Sequence, residues 1–440
     1  MDPKINHLLW RAGFGTNPNE VRRKGWQSVE DVIEDLFISK RKTIKTEGTI
    51  SRDAFKKDPK AIRSRIVKMN LDWLNEMATT EAVLQEKMCL FWHDHFGVKA
   101  NLPIAGAQHN NTLRKFALGK FGDLLHAVAK DPAMLLFLNN QQNQKSAPNE
   151  NFARELFELF TLGEGNYTEN DVKEAARAFT GWKTDKTGTF RFVKFQHDYG
   201  RKRIFGRSGN FTGEQVIDMV LNRPETAQLI CNKILDFMVG EQLEDQIRSE
   251  MTAKFRSWDL HIGKLLREIF EADWFYDAKV MGSRIKSPIE LLVGLMRAFQ
   301  LDSKSGFGLL TSQRSLGQVL FSPPSVAGWP SGTNWIDSSS LLFRQNLGFA
   351  ILQGRELKGI EKKSFDARMK DLDIKIGNKM FLPSTSYWEK TDLVSCCDFL
   401  FAVKPKREVL HSIKQISSAQ KEEKEFGLAM LLGLPEYQLC

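Results

Sequence analysis

The sequence predicts an all-α fold, and three features support that reading. Apolar residues recur at spacings of three and four over long segments, helix-start boxes precede several of them, and strand signals are sparse. Of the 440 residues, 42% are hydrophobic and 27% charged, values that exclude a disordered, collagenous or simple fibrous chain. No apolar run approaches the roughly 20 residues that a membrane-spanning helix needs, so no membrane span is expected.

In chain order, residues 81–96 carry Val83, Leu84, Met88, Leu90, Phe91 and Trp92 at helical spacing, and residues 113–125 and 152–162 repeat the pattern. Thr168 followed by Asp171 opens a helix towards Trp182. Thr212-Gly213-Glu214-Gln215 and Ser287-Pro288-Ile289-Glu290 are capping boxes, the second with Pro at the first helical position. A short hairpin is expected within 187–196, where Phe190, Phe192, Val193 and Phe195 sit among polar residues. Residues 97–107, 139–149 and 322–334 interrupt the pattern and read as loops. The expected organisation is a helical domain over 1–345 and a helical C-terminal appendage over 346–440.

The formal charge is +9, and residues 40–68 hold eleven Lys/Arg against three acids. Such a stretch suits nucleic acid or an anionic surface, or a solvated basic connector. With Phe55 as its one aromatic residue and no binding motif, the connector is the preferred reading; nucleic-acid binding is the weaker alternative. Five unpatterned cysteines suggest reduced thiols. The opening Met-Asp-Pro-Lys-Ile-Asn-His shows no leader, which predicts a cytoplasmic location.

Nucleotide loops of the G-x-x-x-x-G-K-[ST] or G-x-G-x-x-G type, the G-x-S-x-G elbow, H-E-x-x-H and C-x-x-C are all absent. Three polar clusters stand out: His93-Asp94-His95, Glu150 with Arg154 and Glu155, and His197-Asp198 before Lys202. Imidazole with carboxylate suits a divalent transition metal such as Zn, Fe or Mn. His93, His95 and His197 are the candidate ligands. Two His one residue apart share a side of an extended chain but diverge by roughly 200° in a helix, so His93 and His95 chelate together only if the helix has ended by His93. Arg154 and Glu158 are i,i+4 neighbours and Glu155 and Glu158 i,i+3 neighbours, which gives either a solvated ion-pair face or a carboxylate presented to a pocket.

The segments His7-Leu-Leu-Trp-Arg-Ala-Gly-Phe-Gly15, Phe91-Trp-His-Asp-His-Phe96 and the block from Asn149 to Gly163 resemble the bacterial domain-of-unknown-function 1800 family. So do Ala178-Phe-Thr-Gly-Trp182, the His197–Gly206 segment, Lys286-Ser-Pro-Ile-Glu290 and Pro323-Pro-Ser-Val-Ala-Gly-Trp-Pro330, with Trp335 and Arg344. The resemblance implies a largely helical bacterial protein, often exported and often encoded beside a sulfatase-like protein, a candidate partner. The chain departs from the expected pattern at Asn139, where an Asp is expected nearby.

Two functions compete. In a metal-assisted hydrolase or oxidoreductase acting on a polar substrate, His93, His95 and His197 would hold the metal. Glu155 or Glu150 would be the carboxylate ligand or general base and Arg154 or Lys202 an anion clamp. In a non-catalytic helical binding module, the polar blocks would be buried networks, and the module would partner a glycan or the sulfatase-like protein. Trp182, Trp329 and Trp335 are candidate walls of a substrate pocket in either case.

Overall fold

Helix α1 (Pro3–Arg11) begins at Asp2, whose carboxylate accepts from the Lys4 N–H, and it buries nearly all of its length. The computed structural model describes residues 1–38, 43, 58–301, 306–353, 388, 391–418 and 423–440. Most of the basic stretch 40–68 therefore lies outside the described residues; its last part begins α4 (Pro59–Thr79). Between them come α2 (Pro18–Lys24) and α3 (Val29–Phe37).

The central hairpins of helix are α5 (Val83–His95) against α6 (Pro103–Phe116), and α6 against α7 (Phe121–Ala129) and α8 (Pro132–Phe137). Two expectations change here. Pro103 at the first helical position starts α6 inside the segment 97–107 that reads as a loop. The pattern over 113–125 is two helices, because the chain leaves α6 at Ala117 and turns through Gly119 before Phe121.

Helix α9 (Asn151–Glu155) passes without a break into a π-helical turn over Leu156–Thr161. The wider turn leaves the Leu159 and Phe160 carbonyls to accept from side chains, Lys233 at 3.2 Å and His95 at 3.3 Å. Thr168, Thr212 and Ser287 each form the full reciprocal box expected of them, opening α10 (Glu169–Ala178), α11 (Gly213–Leu221) and, after α12 (Pro224–Met238), α13 (Asp245–Ser257) and α14 (Ile262–Glu271), the buried α15 (Pro288–Phe299). Each such cap contributes about 1 kcal/mol. Two small antiparallel hairpins interrupt the helices: β1 (Trp182–Thr184) with β2 (Phe190–Phe192), and β3 (Lys202–Ile204) with β4 (Arg207–Gly209). The first begins five residues earlier than the expected 187–196. Trp182 pairs with Phe192 in register, and the turn falls on the Asp185–Thr189 segment. The second was not visible in the alternation.

The remaining helices are α16 (Gly306–Leu316), α17 (Ser338–Gln353), α18 (Leu393–Leu400), α19 (Arg407–Ser418) and α20 (Glu423–Leu432). One buried apolar cluster runs from Ile5 to Tyr437, and α17 packs along α20. Its polar centre is Glu290, which is 1% exposed. Lys87 lies 2.5 Å from it, and Arg284 donates to both its oxygens at 2.7–2.8 Å. Around this pair Arg11 is held by the Met238, Val239 and Val280 carbonyls, and Arg344 by the Lys286 carbonyl. Buried cations are tolerated because backbone oxygens replace the water they lose. Among the described residues, no helix is long and apolar enough to cross a membrane.

Candidate functional site

Helix α5 remains helical through His95, so the condition under which His93 and His95 could share a metal is not met. Their rings leave the helix on different sides. The His93 ring packs against Trp73, Phe321 and Trp329, and its Nε2 accepts from the Phe321 N–H at 2.9 Å. The proton is therefore on Nδ1. His95 Nε2 can only donate to the Phe160 carbonyl, so its Nδ1 lone pair receives the Lys233 ammonium at 3.2 Å. Burial pushes His93 down to about 3, and burial with Lys233 holds His95 well below its ordinary value.

His197 lies in a third environment. Its Nδ1 donates to the Thr180 carbonyl at 2.9 Å, and its ring sits between Phe192 and Tyr199 at 5.1 and 4.7 Å. Two of the three candidate lone pairs are thus already engaged, and an ammonium stands beside one of them. The three histidines do not fit a shared metal. Among the described residues no group of three or more His, Cys, Asp or Glu side chains is placed to hold one.

Asp94, between the two histidines, is half-buried and ties α5 to the 325–329 turn. Its Oδ1 accepts from the Trp329 N–H at 2.7 Å. Burial pushes its carboxyl up to about 6, against the pull of that N–H and of Lys233. Gly97 and Gly328 allow the approach. A Cβ on Gly97 would stand 2.7 Å from the Val326 carbonyl, and one on Gly328 would overlap Asp94. Trp329 is buried as part of this packing, and Trp335 is buried as well, each 7% exposed.

The carboxylate cluster expected at Glu150, Arg154 and Glu155 forms in part. Arg154 donates to Glu169 at 2.7 Å and to Glu150 at 3.2 Å, in a largely solvated network. Glu155 is half-buried, and burial together with Glu158 raises its pKa. Tyr167 Oη donates to Glu158 at 2.7 Å. Lys202 is buried, and its ammonium donates to the Asp198 and Gly200 carbonyls at 2.6 and 3.1 Å, pinning the turn before β3. Asp198 pairs with Arg177 at 2.7 Å.

A cleft of about 580 Å³ lies elsewhere, between α6, the α7–α8 junction and the turn of the first hairpin. That volume suits a small polar molecule or a segment of a chain. On α6 its wall is Gln108, Asn111, Thr112 and Lys115, at the i, i+3, i+4, i+7 spacing of one helix face. Across from them lie Lys130, Asp131 and Gly188, and Thr43 closes another side. Asp131 caps α8 by accepting from the Ala133 N–H at 2.9 Å, and it also accepts from Thr112 at 3.2 Å. The His109 Nδ1 stands 3.4 Å from it. Arg114 and Gln85 form the floor: Arg114 pairs with buried Glu86, to which the Trp73 indole donates at 2.8 Å, and Gln85 donates to the Arg114 carbonyl at 2.8 Å. Lys130 is 3.0 Å from Glu214 and lies 5.4 Å from the centres of both the Trp182 and Phe190 rings. Trp182, 1% exposed, therefore backs the cleft through Lys130 rather than lining it. The Gln108 Oε1 is buried in this wall and has no hydrogen-bond partner among the described residues.

None of the cleft residues except Trp182, behind it, was singled out in the sequence. The signal was the polar stripe at 108, 111, 112 and 115, which the loop reading of 97–107 obscured by hiding the start of its helix.

A family model described as "Protein of unknown function (DUF1800)" matches residues 7–439. No curated protein and no solved structure matches the chain.

Proposed function

The chain belongs to the DUF1800 family, described as of unknown function, and from that premise we propose that it is a helical binding protein whose cleft takes an acidic saccharide. The observation that carries this reading is the mixed chemistry of the lining. Sugar hydroxyls both donate and accept, and the cleft offers an acceptor at Gln108 Oε1 beside a donor at Lys115. The unpaired Gln108 Oε1 is a buried acceptor that a ligand hydroxyl would satisfy. Lys115 and Lys130 supply positive charge for an acidic substituent. The sulfatase-like partner that the resemblance implies fits a ligand of this class.

Titration of the purified protein with neutral, uronate and sulfated disaccharides, followed by calorimetry, tests the proposal. The acidic sugars should bind, and Gln108→Ala and Lys115→Ala should each weaken them by about 5- to 10-fold. Absence of any saccharide binding, or binding indifferent to both substitutions, overturns it.

A second reading, hydrolysis, has one observation in its favour. Glu155 is half-buried with a raised pKa beside Glu158, on a π-helical turn, the setting of a general acid. It needs no metal. Release of new reducing ends from an acidic oligosaccharide, lost in Glu155→Gln, is the expected sign; no release by the wild-type protein rejects it.

A further inference from the structure

The first hairpin carries an aromatic and basic surface away from the cleft. Gly188, in its turn, is a cleft wall. Phe190 and Phe192 are two residues apart in β2 and so share a face. Phe190 packs on Trp182 at 5.3 Å, beside Lys130 of the cleft. Phe192 packs edge-on to His197, which in turn meets Tyr199. Here the surface opens: Phe192, Tyr199 and Phe195 are 41%, 56% and 74% exposed. Three exposed rings within eight residues are more than a solvated hairpin requires. Between residues 183 and 203 the chain carries seven Lys/Arg against two Asp. Lys186, Lys194, Arg201 and Arg203 are exposed along this segment, as is Arg191, which pairs with Asp185 at 3.0 Å. From Gly188 to Phe192 the strand covers roughly 13 Å.

We infer that the Phe192–Phe195–Tyr199 platform is a second subsite for the ligand of the cleft, and that this ligand is an acidic oligosaccharide chain rather than a single sugar unit. The inference rests on the cleft reading. The apolar C–H face of a sugar ring stacks on the electron-rich face of an aromatic ring, and the exposed cations match acidic substituents along the chain. Single-stranded nucleic acid also combines flat rings with negative charge. The cleft favours the saccharide, because the buried acceptor Gln108 Oε1 suits a hydroxyl donor, and each sugar ring carries several hydroxyls where a DNA backbone carries none.

The test compares a uronate disaccharide with a long uronate oligomer on the full chain. Phe195→Ala and Tyr199→Ala change exposed side chains and leave folding intact. Each should weaken the long oligomer on the order of tenfold and leave the disaccharide unchanged. Gln108→Ala should weaken both. Long-oligomer affinity that falls with Gln108→Ala but not with Phe195→Ala overturns the platform and leaves the cleft reading standing. Failure of both sugars to bind removes the cleft reading and the platform with it. Tighter binding of single-stranded DNA of equal charge, lost in Phe195→Ala, assigns the surface to nucleic acid. Self-association that Phe195→Ala abolishes assigns it to a second copy of the chain. Either result overturns the saccharide.

Discussion

The Lys286 ammonium lies 3.5 Å from the centre of the Trp10 ring and 4.1 Å from that of Tyr437, and it donates to the Tyr437 carbonyl at 2.7 Å. This joins the first helix, the segment before α15 and the last described residues in one contact. Lys286 is fully buried, and burial brings its pKa down to about 7, against the opposite pull of Cys440 and Glu290. The folded value is below the unfolded one. Between pH 7 and about 10.5 the unfolded chain therefore binds more protons at this site, and stability from Lys286 rises with pH. Below pH 7 both states are charged and the burial cost is felt in full. Urea unfolding at pH 7 and pH 9 should show this rise in the wild-type protein, and a smaller one in Lys286→Met. An equal pH dependence in both proteins would refute it.

Glu290 is the anion that Lys87 and Arg284 share. Replacing it by Gln keeps shape and the Ser287 cap but leaves two buried cations without their carboxylate. Breaking such a network from one side costs about 3–5 kcal/mol. Thermal unfolding of Glu290→Gln should show a large loss of stability, whereas Glu169→Gln, which breaks the solvated pair with Arg154, should leave the unfolding midpoint nearly unchanged.

Asp94 has the opposite sign of shift from an ordinary paired carboxylate. Its folded pKa of about 6 lies above its ordinary value, so the folded protein holds the proton more tightly than the unfolded chain does. Stability from Asp94 is present at low pH and falls as pH rises from about 4 to 6. Asn keeps an acceptor for the Trp329 N–H without the buried charge. Asp94→Asn should gain stability relative to the wild type on going from pH 4 to pH 7, by about 1–3 kcal/mol. A difference that stays constant with pH would show that the carboxylate is already well solvated.

Helix starts were legible in the sequence wherever the capping chemistry is local. Ser287, Thr212 and Thr168 each need only the residue three places on, and all three boxes form. What depends on distant packing was not legible. The end of α5 decides whether His93 and His95 converge, and that end is set by the turn at 325–329 closing on Asp94 and Gly97 from more than two hundred residues away. The π-helical turn likewise depends on Lys233 and His95 taking its carbonyls. Asn139 shows the limit of reading a missing carboxylate as lost chemistry. It adopts a left-handed backbone, φ 58°, which Asn and Asp both tolerate, so the position has a conformational reason for either residue.

The histidine geometry makes a last prediction about metal. A resident structural metal stabilises the folded state through its own binding free energy, and a chelator removes that stability. Here the His93 lone pair is held by the Phe321 N–H and the His95 lone pair by Lys233, so a metal would have to displace both. A chelator should leave the unfolding midpoint of the purified protein unchanged, and added zinc should not raise it. His93→Gln keeps a polar group in the same place but loses the ring contacts with Trp73 and Trp329, so it should lower stability to the same extent with and without the chelator. A chelator-dependent midpoint that the substitution abolishes would mean that His93 turns its ring to a metal, and would restore the metal-assisted reading of this helix end.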